Sequence, residues 1–296
     1  MAGLKRSLSP WVAGLRETGE MIAFKHTIFA LPFAVIALIS AADTGWPSAR
    51  TWLWVLVAMV SARTAAMAFN RLADYDFDSK NPRTVNRALP AGRLDRQFAW
   101  IVTGASAAVF LIAAAALGPL CLALAPLALA VLLVYSYAKR FTAASHLWLG
   151  LSLGIAPIGA WIAETGRIDW PALVLAGAVA LWVAGFDVIY SLQDEVFDRE
   201  HDLHSLPARF GAERAITVAR TFHIIAFVGF LAFALAAGGG MLRLLAVVSA
   251  GLLLAWQHRL IRSDDLQSID AAFFTANGTL AMAMCIFFVV AKLISA

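Results

Sequence analysis

The stretch Asn70-Arg71-Leu72-Ala73-Asp74-Tyr75-Asp76-Phe77-Asp78 follows directly on an apolar run near 51–70. A second stretch, Asp187-Val188-Ile189-Tyr190-Ser191-Leu192-Gln193-Asp194-Glu195-Val196-Phe197-Asp198, closes the apolar run near 170–190. Asp74 and Asp78 stand four apart, as do Asp194 and Asp198. Carboxylates at i and i+4 share one helix face, whereas Asp76, at i+2 from Asp74, lies off that face. Two such pairs facing each other would form an oxygen-rich clamp suited to Mg2+ and a diphosphate. Carboxylates at a membrane boundary are costly unless they are used.

That boundary follows from composition. The 296 residues are 61% hydrophobic and 14% charged, with a mean hydropathy of +0.77. Ordinary soluble domains are about 45–50% apolar, so the chain reads as an integral membrane protein of all-α class. Apolar stretches recur near 22–42, 51–70, 97–116, 119–137, 145–164, 170–190, 215–236, 241–258 and 271–294. A crossing needs about 20 residues, so the pattern predicts a bundle of nine transmembrane helices. Residues 1–21 are mixed and charged, without the apolar core of a signal peptide. They read as a cytoplasmic lead-in to a single transmembrane domain over 22–296.

The charges orient the bundle. With the N-terminus inside, 18 of the 23 Lys and Arg fall on inner segments and four on outer ones, with Arg63 inside a span. This is a strong positive-inside bias. It accounts for the net charge of +4 without a nucleic-acid partner. The long polar loops, 71–96 and 191–214, both follow an acidic cluster and both lie inside. The active site is therefore expected on the cytoplasmic side. Cys121 and Cys285 are far apart inside apolar runs and read as packing residues.

Other residues gather at the same face. Arg63 lies seven before Asn70 and shares its side of the helix; Asp187 and Tyr190 extend the second stripe. An intramembrane Arg should face a polar cavity or pair with an Asp of another helix. Arg83 and Arg87 follow the first cluster, and Lys139-Arg140 ends the fourth span. Diphosphates are held by such cations, Arg in bidentate fashion and Lys as a mobile point charge. The plainer alternative is that Lys139 and Arg140 only obey the positive-inside bias.

At these residues the chain resembles the UbiA-type family of intramembrane prenyltransferases. Its pattern N-x3-D-x3-D is met by Asn70, Asp74 and Asp78, with Arg63 seven residues earlier. The trailing R-T-x2-R-x-L-P-x-G is met by Arg83, Thr84, Arg87, Leu89, Pro90 and Gly92, with Ala88 where the family usually has Pro. The second pattern, D-x2-Y-x3-D-x3-D, is met by Asp187, Tyr190, Asp194 and Asp198. Ser205, Phe210-Gly211 and the Tyr135/Lys139-Arg140 element also match. The first span departs from the ubiquinone-type members: it reads Phe24-Lys25-His26-Thr27, similar to a 4-hydroxybenzoate polyprenyltransferase subgroup of the futalosine-route menaquinone type.

The resemblance implies Mg2+-dependent transfer of a polyprenyl chain from polyprenyl diphosphate to a hydroxylated aromatic carboxylate. The acceptor would be of 4-hydroxybenzoate or dihydroxynaphthoate type, in menaquinone or ubiquinone biosynthesis. Asp74, Asp78, Asp194 and Asp198 would hold the metal, assisted by Asn70. Lys139, Arg140 and Arg63 would neutralise growing negative charge, and His26 would orient the acceptor or serve as an interfacial hydrogen-bonding residue. The lipid bilayer, that of a bacterial inner (plasma) membrane, would be the setting. The competing class is a membrane carrier for an anionic substrate, since many spans with buried charges also describe carriers.

Overall fold

The computed structural model describes Gly19 and residues 29–43, 45–261 and 272–295. These residues form helices and turns, with no strand among them. Eight helical segments are long and apolar enough to cross a membrane. They are α2 (Ala49–Ala73), α4 (Arg96–Leu117), α5 (Pro119–Ala138), α6 (Ser145–Thr165), α7 (Trp170–Ser191), α10 (Ala212–Ala236), α11 (Met241–Leu260) and α12 (Asn277–Ser295). A π-helical turn, Ala272–Ala276, leads into α12. The predicted first span appears as α1, Leu31–Ala41, an 11-residue helix. At 1.5 Å per residue that is only about 17 Å. The beginning of the predicted span, His26 included, lies outside the described residues.

Short helices complete the loops: α3 (Tyr75–Asp78), α8 (Glu195–Glu200) and α9 (Leu206–Phe210). Side-chain caps set several starts. Ser48 Oγ accepts from Thr51 N at 3.0 Å, Asp95 Oδ1 from Phe98 N at 2.6 Å, and Ser205 Oγ from Ala208 N at 3.4 Å. Each satisfies one of the donors a helix start leaves orphaned. Pro126 in α5 and Pro157 in α6 sit inside helices that continue through them.

Helix α7 is the centre of the bundle. Its apolar window is 67% buried, against 17% for α4. Val179, Trp182, Val183 and Ile189 have no exposure, and Phe33, Phe230 and Phe233 pack in the same core. Large apolar side chains stay exposed on the outer helices, such as Leu53, Ile101, Ile112, Leu127 and Leu252. In a bilayer these face lipid, which is as apolar as they are.

Small residues bring α6 and α7 together. A Cβ on Gly154 would stand 2.8 Å from the Ala176 carbonyl oxygen, and one on Gly150 would overlap the Ala180 carbonyl. Only a bare backbone fits there, the close-approach device of membrane helices. The contact lies about one and a half to two and a half turns from the α6 start, so it fixes what the first turn of α6 can reach on α7.

Candidate active site

The ends of α2, α5 and α7 meet at the end of the bundle that carries the long loops. They enclose a cavity of about 180 Å3. Both acidic clusters line it. The clusters do not lie on smoothly continued helices, as the i, i+4 reading assumed. Helix α2 stops at Ala73, and Asp74 takes φ −91°, ψ 3° before α3 begins. Asp194 takes φ −104°, ψ 5° before α8. Both lie in the sparsely allowed bridge region, where many active-site residues sit. The second residue of each pair remains within a turn: Asp78 N donates to Asp74 O at 2.8 Å. Asp76 points out, with its side chain 84% exposed near Arg96, as its i+2 position requires.

Arginines from the loop after α3 hold the carboxylates. Arg87 Nη1 donates to both oxygens of Asp78, at 2.7 and 2.8 Å. Arg83 crosses to the other cluster, donating through Nε (2.9 Å) and Nη2 (2.5 Å) to Asp194. Arg83 Nη1 also reaches Tyr190 Oη at 3.2 Å. Asn81 Nδ2 donates to Asp194 at 3.2 Å, while its oxygen accepts from Arg83 N. Burial alone would lower the Arg83 pKa, but its pairing with Asp194 holds it above the ordinary arginine value. Asn70 Nδ2 donates to Asp74 at 2.9 Å, and Asn70 Oδ1 accepts from Arg71 at 3.5 Å.

Burial, with Asp78 beside it, pushes Asp74 up to about 6 despite Lys139, Arg71 and Arg140. Lys139 Nζ stands 3.7 Å from Asp198. Burial pulls its pKa down, but Asp198, Asp187, Asp194 and Asp74 outweigh it and hold it above the usual lysine value. Arg140 donates to the Ala73 carbonyl and lies over the Phe77 and Tyr137 rings. A second recess of about 290 Å3 adjoins the cavity, lined in part by Arg71, Arg83, Arg87 and Arg93.

The predicted residues therefore converge, with two differences. Arg63 is not among the residues lining the cavity. Seven residues along a helix carry it about 10 Å deeper than Asn70, so a shared face does not bring it to the same height. His26 lies outside the described residues. Among the lining or neighbouring residues not anticipated as site residues are Arg71, Asn81, Ser136 and His146. His146 is fully buried and its Nδ1 lies 2.7 Å from Asp187 Oδ2.

The donor set fits Mg2+ in kind. It consists of hard oxygens, the ligands this ion prefers. Asp198 Oδ2 is buried without a hydrogen-bond partner among the described residues. Also among them, no three Asp, Glu, His or Cys converge closely enough to hold one ion. Asp78 and Asp194 are turned toward Arg87 and Arg83 instead.

Comparison with known proteins agrees with this arrangement. The profile of the UbiA prenyltransferase family matches residues 30–279. A 4-hydroxybenzoate octaprenyltransferase from Nitrosospira multiformis is 28% identical over 236 residues, 80% of this chain and 81% of that one. The apo structure of a UbiA homolog from Aeropyrum pernix K1 is 33% identical with TM-score 0.77, covering 91% of this chain and 97% of that one. A UbiA homolog from Archaeoglobus fulgidus bound to DMAPP and Mg2+ shares the fold at 16% identity, TM-score 0.76, over 94% and 99% of the chains. The family match runs through α2, α5 and α7, the helices that build the cavity, and on it the chain belongs to the UbiA prenyltransferase family and is a prenyltransferase.

Proposed function

We propose that this protein transfers a polyprenyl chain from polyprenyl diphosphate to a hydroxylated aromatic carboxylate, at the cytoplasmic face of a membrane. The observation that carries the reading is one cavity that joins both Asp pairs to Arg83, Arg87, Lys139 and Arg140. Such a lining binds an anion and a hard cation together. The related enzyme named for 4-hydroxybenzoate and the fold relative bound to DMAPP and Mg2+ support the same class. Nine crossings, with α1 as part of the first, would put the N-terminus and both long loops in the cytoplasm and the C-terminus outside. Bacterial relatives favour the inner membrane.

Asp74, Asp78, Asp194 and Asp198, with Asn70, would hold Mg2+. Bound there, the ion would neutralise the diphosphate and stabilise it as it departs. Arg83 and Arg87, now paired with Asp194 and Asp78, would turn to the diphosphate oxygens as the carboxylates engage. Lys139 and Arg140 would meet the charge that grows as the allylic C–O bond breaks and its electron pair stays with oxygen. The recess lined by Arg93 gives the freed diphosphate a cationic path outward. A ring carbon of the acceptor would form the new C–C bond to the allylic carbon released from diphosphate, and would then give its proton to water. Asp187 faces the acceptor: among the described residues it pairs with no Lys or Arg, only with His146. The aromatic wall of Tyr190, Phe273, Phe29 and Phe186 leads from the cavity into the core.

The test is direct. Purified protein in detergent is given a polyprenyl diphosphate with 4-hydroxybenzoate or 1,4-dihydroxy-2-naphthoate, with and without Mg2+, and the product is identified by mass. A prenylated product with one acceptor, formed only with Mg2+, is expected. Release of diphosphate without any prenylated acceptor would overturn the reading. So would transport of an unmodified anion into vesicles.

A further inference from the structure

His146 opens the first turn of α6, has no exposure, and lies beyond the cavity lining. Its two ring nitrogens are both engaged. Nε2 lies 3.3 Å from the backbone N of Leu206, at the start of α9. Nδ1 lies 2.7 Å from Asp187 Oδ2. A backbone N–H can only donate, so Nε2 must be the acceptor. The proton of the neutral ring is then on Nδ1, which donates to the carboxylate. A charged ring would turn an Nε2–H against the Leu206 N–H and lose that bond. The geometry thus selects one tautomer, with the proton directed at Asp187.

The same loop is tied to the site at two more points. Leu203 N donates to Asp198 O at 2.8 Å, and His204 N donates to Lys139 O at 2.7 Å. The segment 203–206 therefore touches Asp198, Lys139 and, through one imidazole, Asp187. We propose that His146 is a positioning residue: it fixes Asp187 by one oxygen, leaves the other for the aromatic acceptor, and makes that orientation depend on the placement of the 203–206 loop. The acceptor half of the proposal rests on the function proposed above; the loop coupling does not.

Two measurements separate the halves. The first is amide hydrogen exchange of the full-length protein in detergent without substrate. His146→Ala should speed exchange at 205–208 by about tenfold or more. Asp187→Ala should do the same in smaller measure, because the ring loses the acceptor that orients it. His146→Gln should restore protection, since its amide oxygen can accept from Leu206 and its amide N–H can donate to Asp187. Unchanged exchange in His146→Ala, or no effect of Asp187→Ala, would overturn the coupling.

The second is steady-state kinetics with the acceptor that the wild type prenylates. His146→Ala should lower kcat/KM for the acceptor by about tenfold or more while the KM for prenyl diphosphate stays within about twofold. His146→Gln should recover most of it. Equal losses for both substrates, or no rescue by Gln, would mean a merely structural role. If His146→Ala does not fold, His146→Asn keeps polarity but is too short to bridge both partners, and the same split is expected. A wild type that prenylates no acceptor overturns the acceptor half, while the exchange result still decides the coupling.

Discussion

Replacing Asp194 with Asn changes one charge and almost no volume. The wild-type carboxylate is 8% exposed and accepts two bonds from Arg83 and one from Asn81. Asparagine keeps one acceptor oxygen, so one bond of the Arg83 pair and the full charge are lost. Hydrogen bonds to charged groups are worth about 1.5–3 kcal/mol each. The Arg83 side chain is 33% exposed, so water recovers part of that, and a stability loss of about 1–2 kcal/mol follows. If Asp194 also holds the cation that stabilises the leaving diphosphate, turnover should fall by about 10²-fold or more. That corresponds to about 2.7 kcal/mol at the barrier. The function should therefore suffer more than the fold. The assay pairs Mg2+-dependent diphosphate release per folded molecule with thermal unfolding in the same detergent. Asp76→Asn is the control, since that side chain is 84% exposed. Near-normal turnover in Asp194→Asn, alongside a lowered midpoint, would show the pair to be structural and refute the reasoning. So would equal damage from Asp76→Asn.

Three further outcomes follow from particular residues. Folded Asp74 holds its proton up to about pH 6, above its ordinary 3.8. Its contribution to stability is therefore fully present below pH 3.8 and declines as pH rises through about 6, while its capacity to bind metal grows over the same range. The rise in unfolding midpoint on adding Mg2+ should be clearly larger at pH 7.5 than at 5.5, and Asp74→Asn should flatten that difference; a pH-independent Mg2+ effect would refute it. Gly150→Ala should destabilise by about 1–3 kcal/mol, because the new methyl overlaps the Ala180 carbonyl. Gly104→Ala, with nothing within 4 Å, should leave the unfolding midpoint unchanged or raised, and equal midpoints for the two variants would contradict the packing argument. Cysteines placed in 79–96 or 199–210 should label only from the cytoplasmic side and one at Ser295 only from outside; labelling from one common side would exclude nine crossings.

Much of this architecture is legible in the chain because its determinants are local. A run such as Pro119 to Tyr137 needs no partner to be read as a span, and α5 ends within a residue of that reading. The outward turn of Asp76 and the convergence of the two Asp pairs also follow from spacing. A shared helix face says nothing of height, which the rise per residue supplies, and spacing does not supply partner choice. Arg63 has the right face but the wrong depth. Arg83 and Arg87 stand four apart in one loop, yet one crosses to the second cluster and the other stays with the first. His146 meets Asp187 only because glycines let α6 and α7 touch, and a lone His among apolar residues carries no mark of that. Its place at the helix start, level with the carboxylates, is the one signal that could have singled it out.

The guanidinium pairings have a consequence for handling the protein. Many metalloproteins lose their shape with a chelator, because the vacated ligands repel each other or lie stranded. Here Arg83 and Arg87 act as tethered counter-ions, carried on the chain and already seated on Asp194 and Asp78. Removing divalent cations should therefore cost activity but not architecture. The helical bundle should stay folded in EDTA, giving up only the rise in midpoint that bound Mg2+ adds, and full turnover should return when Mg2+ is restored.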